Sequence, residues 1–561
     1  MSAPNKVKTR YSVSYLQAEY DKGNKRPLED VVRAWKGIQE KYPPSDKRSF
    51  FVLGGYHGEP FNYRTAVDAL SQTDIYTYWG GWCNHGNVLF PTWHRVYLHK
   101  LEEALQSIVP GVTLPFWDET DEESMQHGIP KVLTQEQFEL DGVLIDNPLR
   151  SFKLPLPLSD DLPGDSQAYL KPAGYETVRY PLSGLVGTPE ARAATAKHNE
   201  KYPSSSENTK LLDKNIVAWL KGSGPGGPTD PDAGPGPTPK DPNPVGNGVA
   251  AMFQTCLDAP NYTVFSNTTS AGQWNLDHPG EVVVPLEQPH NDIHLSVGGF
   301  DIPGEGESGQ IADSNGDMGE NNTAALDPIF YFHHCNIDRM FWLWQKRHGA
   351  TDHFDIIQSY YGTSSSDAQG PTPGIAPGTP LDMTTPLNPF VKDEFGNMFS
   401  SNDCINIEKQ LGYTYGPGSL ETAPPVKAAA GFSTKKLTVR GIDRALFEGS
   451  FVIRAFATVK DHRGKTRKYY LGDYAVLSRR NVIKCANCLT HLEVIAHFPL
   501  RAMPQDLVDK AEYLIAIQHR RSSKPTSIGQ LVGIGAAAAK TAIAPRAALP
   551  PKLKYQIQVR D

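Results

Sequence analysis

Only six cysteines are spread over 561 residues, at positions 83, 256, 335, 404, 485 and 488. They are too few and too scattered for a disulfide scaffold, and a reducing compartment with all six as thiols is the expectation. Net positive charge is missing as well, since 55 Lys and Arg stand against 62 Asp and Glu for a net −7. Nothing is available to neutralise a phosphate backbone, which excludes nucleic acid as a partner. Long apolar runs are also absent. The best candidate, "IGQLVGIGAAAAKTAIAP" at 528–545, is broken by Lys540 and ended by Pro545, so no membrane span or membrane partner is expected. The opening stretch "MSAPNKVKTRYSVSYLQAEYDKGNK" lacks the apolar core of a secretory signal. A cytoplasmic, intracellular location follows as the expectation, and the sequons at Asn261, Asn267 and Asn321 then read as chance.

What is present is an ordinary globular composition, 39% hydrophobic and 10% aromatic, over a length that suggests two domains. Residues 27–48 and 91–108 show apolar residues at helical spacing, and 327–347, "DPIFYFHHCNIDRMFWLWQKR", is a strongly apolar helix with a proline near its start. Residues 222–248 are low-complexity Gly/Pro, read as a disordered loop within a domain. After about residue 416 the texture changes. A linker-like stretch, 416–434, precedes short runs rich in β-branched and aromatic residues, such as "SFVIRAFATVK" and "HLEVIAHFPL". Those runs predict a β-sandwich over 435–525, with 526–561 as a tail.

The histidines are the informative residues. His85 and His94 lie nine residues apart in "CNHGNVLFPTWHR", which puts them on opposite faces of any unbroken helix. Gly86 and Pro91 supply the break: a helix starting near Pro91 carries His94 inward, and His85 projects from the preceding loop. His290 and His294 share one helical face at i, i+4. His334 sits on the 327–347 helix, and His57 in "LGGYHGEPF" is flanked by glycines. Six imidazoles without carboxylates suit copper, zinc, iron or nickel. Two sets of three on paired helices match two copper ions facing each other in a four-helix bundle. The fold class is therefore a mainly α catalytic domain, residues 1–415, plus the C-terminal β-sandwich.

The segments "CNHGNVLFPTWHR", "PHNDIH" and "DPIFYFHHCNIDR" resemble the two copper motifs of the tyrosinase and polyphenol-oxidase family, and the order of parts is similar to that of filamentous-fungal latent tyrosinases. The resemblance implies one copper on His57, His85 and His94 and a second on His290, His294 and His334, with dioxygen as cosubstrate. His334 is chosen over its neighbour His333 because related haemocyanins place their histidine seven residues after the D-P aspartate, here Asp327. The resemblance further implies a thioether between Cys83 and His85, and a water held by Glu287 and Asn291 that deprotonates an incoming phenol. Asn321 falls where relatives gate access to the second copper. Asp327 and Asp338 are candidates to orient ligand rings, and Phe90 and Phe330 to wall the site.

The implied activity is hydroxylation of monophenols and oxidation of o-diphenols to o-quinones, with phenols and catechols as the partners. The β-domain would shield the site until an activating protease cuts the linker beyond Tyr415. Cys485 and Cys488, in "CANCLTH", would help load copper as soft ligands, or else form a zinc ligand pair or a surface dithiol. A homo-oligomer is expected. Two alternatives stay open: a catechol or o-aminophenol oxidase without hydroxylation, and a haemocyanin-like oxygen-binding protein.

Overall fold

The computed structural model describes residues 7–58, 81–158, 171–184, 189–222, 247–299, 315–370, 372–427, 432–447, 449–460, 463–478, 486–519, 527–532, 540–543 and 554–560. Most of the Gly/Pro-rich loop expected at 222–248 lies outside these residues, as does Cys485.

Four helices surround the centre: α1 (Phe50–Gly58), α2 (Phe90–Gln106), α3 (Glu287–Gly298) and α4 (Ile329–Arg347). Proline stands at the start of α2 and immediately before α4, positions where a missing N–H costs nothing. Gly299, left-handed at φ 78°, closes α3 by donating to the carbonyls of Leu295 and Ser296. Every residue of α3 is buried, and so is α4 from Ile329 to Gln345. Helices buried on all sides belong to the middle of a molecule. The polar groups they carry inward therefore need partners.

The ends of the helical region are joined by a short parallel pair, Lys8–Arg10 against Tyr413–Tyr415. Beneath it sits a buried charge cluster on Asp338. Its carboxylate accepts from Arg95 Nε, Tyr413 OH and Tyr415 OH at 2.5 Å each, and from Arg10 Nη1 at 3.5 Å. Burial alone would raise this carboxyl, yet Arg95 and Arg10 hold it below the usual range.

The C-terminal region is a sandwich of two antiparallel four-stranded sheets. One sheet runs Glu493–Pro499, Lys436–Asp443, Lys554–Arg560, Lys540–Ile543; the other runs Ser527–Val532, Glu512–His519, Phe451–Lys460, Thr466–Val476. The segment expected as a tail, 526–561, thus contributes three strands. Lys554–Arg560 pairs directly with Lys436–Asp443, because that strand has a second edge to fill.

The sandwich sits on the helical region. Ala475 N donates to Asp292 Oδ1 (3.1 Å), Asn247 Nδ2 to Tyr470 O (3.1 Å), Arg501 Nη1 to Thr255 Oγ1 (3.0 Å) and Asn487 Nδ2 to Gly370 O (3.0 Å). Val452, Ala475 and Leu477 are buried in the same hydrophobic cluster as the bundle. The strap before the sandwich is pinned as well: Ser419 N and Val426 N donate to Asp118 and Asp258.

Replacing Asp338 with alanine takes the carboxylate from buried Arg95, while Arg10 keeps Glu102 at 2.8 Å, and the expected loss is about 3–5 kcal/mol. Urea denaturation of the two proteins measures it; a loss below about 1 kcal/mol, the scale of a surface pair, contradicts the assignment.

Candidate metal centre

His57 comes from the last turn of α1, His85 from the loop before α2, and His94 from the start of the second turn of α2. Their ring centroids lie 5.2–5.6 Å apart. His290 and His294 come from α3 and His334 from α4. His334 Nε2 is 3.1 Å from His290 Nε2 and 3.2 Å from His294 Nε2. The two trios face each other, with His94 stacked on His334 at 4.6 Å and His85 on His290 at 5.5 Å.

Ring orientation is set from behind. His57 Nδ1 lies 3.1 Å from Asn321 O, His94 Nδ1 2.8 Å from Phe90 O, and His294 Nδ1 3.0 Å from Met318 O. His290 Nδ1 lies 2.9 Å from Asn291 Oδ1. An acceptor at Nδ1 holds the proton there and leaves Nε2 as a bare lone pair. Phe330 stacks on His334 at 3.9 Å and meets His57 edge-on at 4.7 Å, while Phe90 packs on His94 and His290. These rings wall the site, as the sequence suggested.

Such a cluster suits a cation. The Nε2 atoms of His290 and His294, each just over 3 Å from that of His334, match the spacing around a metal whose bonds to nitrogen are about 2.0–2.1 Å. Among the described residues the buried Nε2 of His94 has no hydrogen-bond partner. Burial keeps the imidazoles neutral: His94 is pushed down to about 3, and His290, His294 and His334 also lie well below the ordinary range. Neutral imidazole is the form that binds metal.

The other expected residues fall as follows. Cys83 is buried, and its Sγ lies within 4.8 Å of the ligand nitrogens of His57 and His85. Glu287 accepts Gly86 N (2.8 Å) on one oxygen, and Thr268 N (2.8 Å) and Oγ1 (3.0 Å) on the other. It therefore fixes the turn just after His85, and burial raises its carboxyl. Asn291, four residues on, orients His290. Asn321, expected at an entrance, lies against the first trio: its carbonyl faces His57 and its amide reaches Cys83 Sγ at 3.7 Å. Cys488 is buried and held in a disulfide, which removes the thiolate expected of it.

His333 stands beside the second trio, and its ring is held by Glu119 at 2.6 Å, which Asn336 holds in turn. Glu119 was not legible in the sequence. Neither were the carbonyls that orient the rings, since a backbone acceptor leaves no residue signature. Asp327 and Asp338, considered for that task, pair instead with Arg179 and with Arg95 and Arg10.

Two buried histidine trios facing each other inside a helical bundle define a binuclear copper protein. The sequence profile of the common central domain of tyrosinase matches residues 47–347. Tyrosinase HcTyr2 of Hahella sp. is 71% identical over 561 residues, the whole of both chains. The solved tyrosinase of Burkholderia thailandensis at low pH is 64% identical and covers 91% of this chain and 95% of its own, with a TM-score of 0.80. A pro-tyrosinase of Aspergillus oryzae shares the fold at 19% identity, TM-score 0.57, over 94% of this chain and 96% of that one. The chain belongs to the tyrosinase family and is a copper oxidoreductase. No helix among the described residues is long and apolar enough to cross a membrane.

His94 gives a pH test. In the unfolded chain it takes up a proton below about pH 6.5; in the fold it stays neutral down to about 3. The unfolded state binds more protons in that window, so this residue's contribution to the metal-free fold is lost as pH falls through it. Buried acids such as Glu119 and Asp292 are shifted upward and act the other way, so the comparison is with a His94→Asn variant that shares them. Between pH 6.5 and 4 the variant is expected to lose less stability to urea than the parent. Equal losses contradict the shift.

Proposed function

We propose that His57, His85 and His94 hold one copper, that His290, His294 and His334 hold the other, and that the chain is a latent tyrosinase. The observation that carries this reading is the pair of buried imidazole trios beneath a β-sandwich fastened to α3. Bound copper would supply dioxygen binding and the electron transfer that phenol oxidation requires. A monophenol would be hydroxylated to an o-diphenol, and o-diphenols oxidised to o-quinones as dioxygen is reduced to water. Phe90 and Phe330 keep bulk water from the rings. Glu287 and Asn291 hold the water that takes the phenol proton, and the raised carboxyl of Glu287 makes it a better base than an exposed carboxylate. Cys83 Sγ bonds to a ring carbon of His85, the S–H and ring C–H bonds giving up two protons and two electrons to dioxygen, and the thioether fixes that ring on its loop. Proteolysis beyond the pinned strap, past Lys427, releases the sandwich.

A second reading has one observation in its favour. Both Glu287 oxygens are occupied by Gly86 and Thr268, and Asn291 Oδ1 is taken by His290. A Glu287 given over to positioning leaves no base for a monophenol, and the chain would then be a catechol oxidase.

Oxygen uptake by the copper-loaded chain, with a monophenol and a catechol before and after brief proteolysis, separates these readings. Response to both substrates only after cutting supports the latent tyrosinase. Response to the catechol alone favours the oxidase, and response to neither contradicts both readings. Independently, His94→Ala is expected to lower bound copper from two per chain to one by metal analysis, whereas His333→Ala retains two.

A further inference from the structure

A cavity of about 240 Å³ lies between the sandwich and the helical region. Asn291, which orients His290, lines one side of it, and Tyr361, Tyr474 and Arg444 line others. Arg444 comes from the turn Arg444–Leu446 that links two strands of the sandwich. Its residue is only 6% exposed. Among the described residues its guanidinium makes no hydrogen bond and no ion pair, and its Nε is buried without a partner. The neighbouring charges are satisfied elsewhere. Glu493 takes Arg440 Nε (3.1 Å) and Gly441 N (2.9 Å), His491 lies 3.2 Å from Asp367, and Asp443 caps Ala445. Glu287 and Tyr474 feel the Arg444 charge through space without touching it.

Desolvation disfavours a buried cation that lacks a counter-charge, and it pulls Arg444 down from its ordinary value. An arginine fork matches a carboxylate in two parallel hydrogen bonds. Tyr361 and Tyr474 give the same cavity aromatic surface for a ring. We propose that this cavity binds an aromatic carboxylic acid in the intact chain, with Arg444 of the β-sandwich as the anchor for the carboxylate. The aromatic class rests on the phenol-oxidising reading above; the unpartnered arginine and the cavity do not. The β-sandwich would then hold the acidic end of a ring compound beside Asn291 for as long as the domain stays attached.

The test uses the copper-loaded full chain and a ligand that cannot be oxidised, 3-phenylpropanoate, titrated calorimetrically against its neutral counterpart 3-phenylpropanamide. The acid is expected to bind at least tenfold more tightly. Arg444→Gln and Arg444→Met should bring the ratio to within twofold, and Arg444→Lys should restore part of it. Inorganic phosphate, which has the charge without the ring, should not displace the acid. Removing an unpaired buried charge should leave the ligand-free melting temperature unchanged or raised. Equal binding of acid and amide by the parent chain overturns the proposal, without recourse to any variant. Retention of the preference in Arg444→Gln, or displacement by phosphate at equal concentration, overturns it too. A chain that oxidises phenols without preferring the acid loses this inference alone. A chain that prefers the acid but oxidises nothing loses the functional reading alone.

Discussion

The centre depends on where six imidazole protons point. A metal-binding nitrogen must present a lone pair, and in a buried site each ring's other nitrogen must then find an acceptor. Backbone carbonyls meet it for His57, His94 and His294 and the Asn291 side chain for His290, whereas Nδ1 of His334 is buried without a partner among the described residues. One short stretch, from Asp317 to Leu326, supplies the Met318 carbonyl to His294 and the Asn321 carbonyl to His57. It therefore braces one ring in each trio and sets the two halves of the site against each other.

That stretch is held at both ends by buried charge. Asp317 takes Lys171 Nζ, Tyr175 OH and Val178 N, all within 2.8 Å, and Asp327 takes Arg179 through both oxygens. It also approaches two helices where neither has a side chain. A Cβ on Gly58 would lie 2.3 Å from Asn322 O, and one on Gly298 would lie 2.3 Å from Gly319. Substituting either glycine would push the carbonyls away from the rings they orient.

The sequence exposed the parts of this arrangement that side chains write. The break at Gly86 and Pro91, the i, i+4 pair on α3, the apolar α4 and the alternating strands were all legible because periodicity records burial. The supporting layer was not. Glu119 lies more than 200 residues from His333 along the chain, and local pattern carries nothing about such a contact. Strands 527–532, 540–543 and 554–560 look like a tail in the sequence because the small-residue run among them hides their alternation. The resemblance to relatives says nothing of the contacts Asn321 makes with His57 and Cys83.

The strap from Gly416 to Lys427 bears on how the sandwich could ever leave. While the chain is continuous, a tethered domain meets its docking surface at an effective concentration in the millimolar range for a short linker. Modest contacts at Asp292, Thr255 and Gly370 then keep it seated nearly all the time. A cut beyond the strap would abolish the tether without disturbing one of those contacts, and occupancy would fall to whatever the free domain's own concentration supports. Because the strap is hydrogen-bonded to Asp118 and Asp258, it would stay behind with the helical region. Release would then be governed by dilution, and would differ between a crowded compartment and an open one.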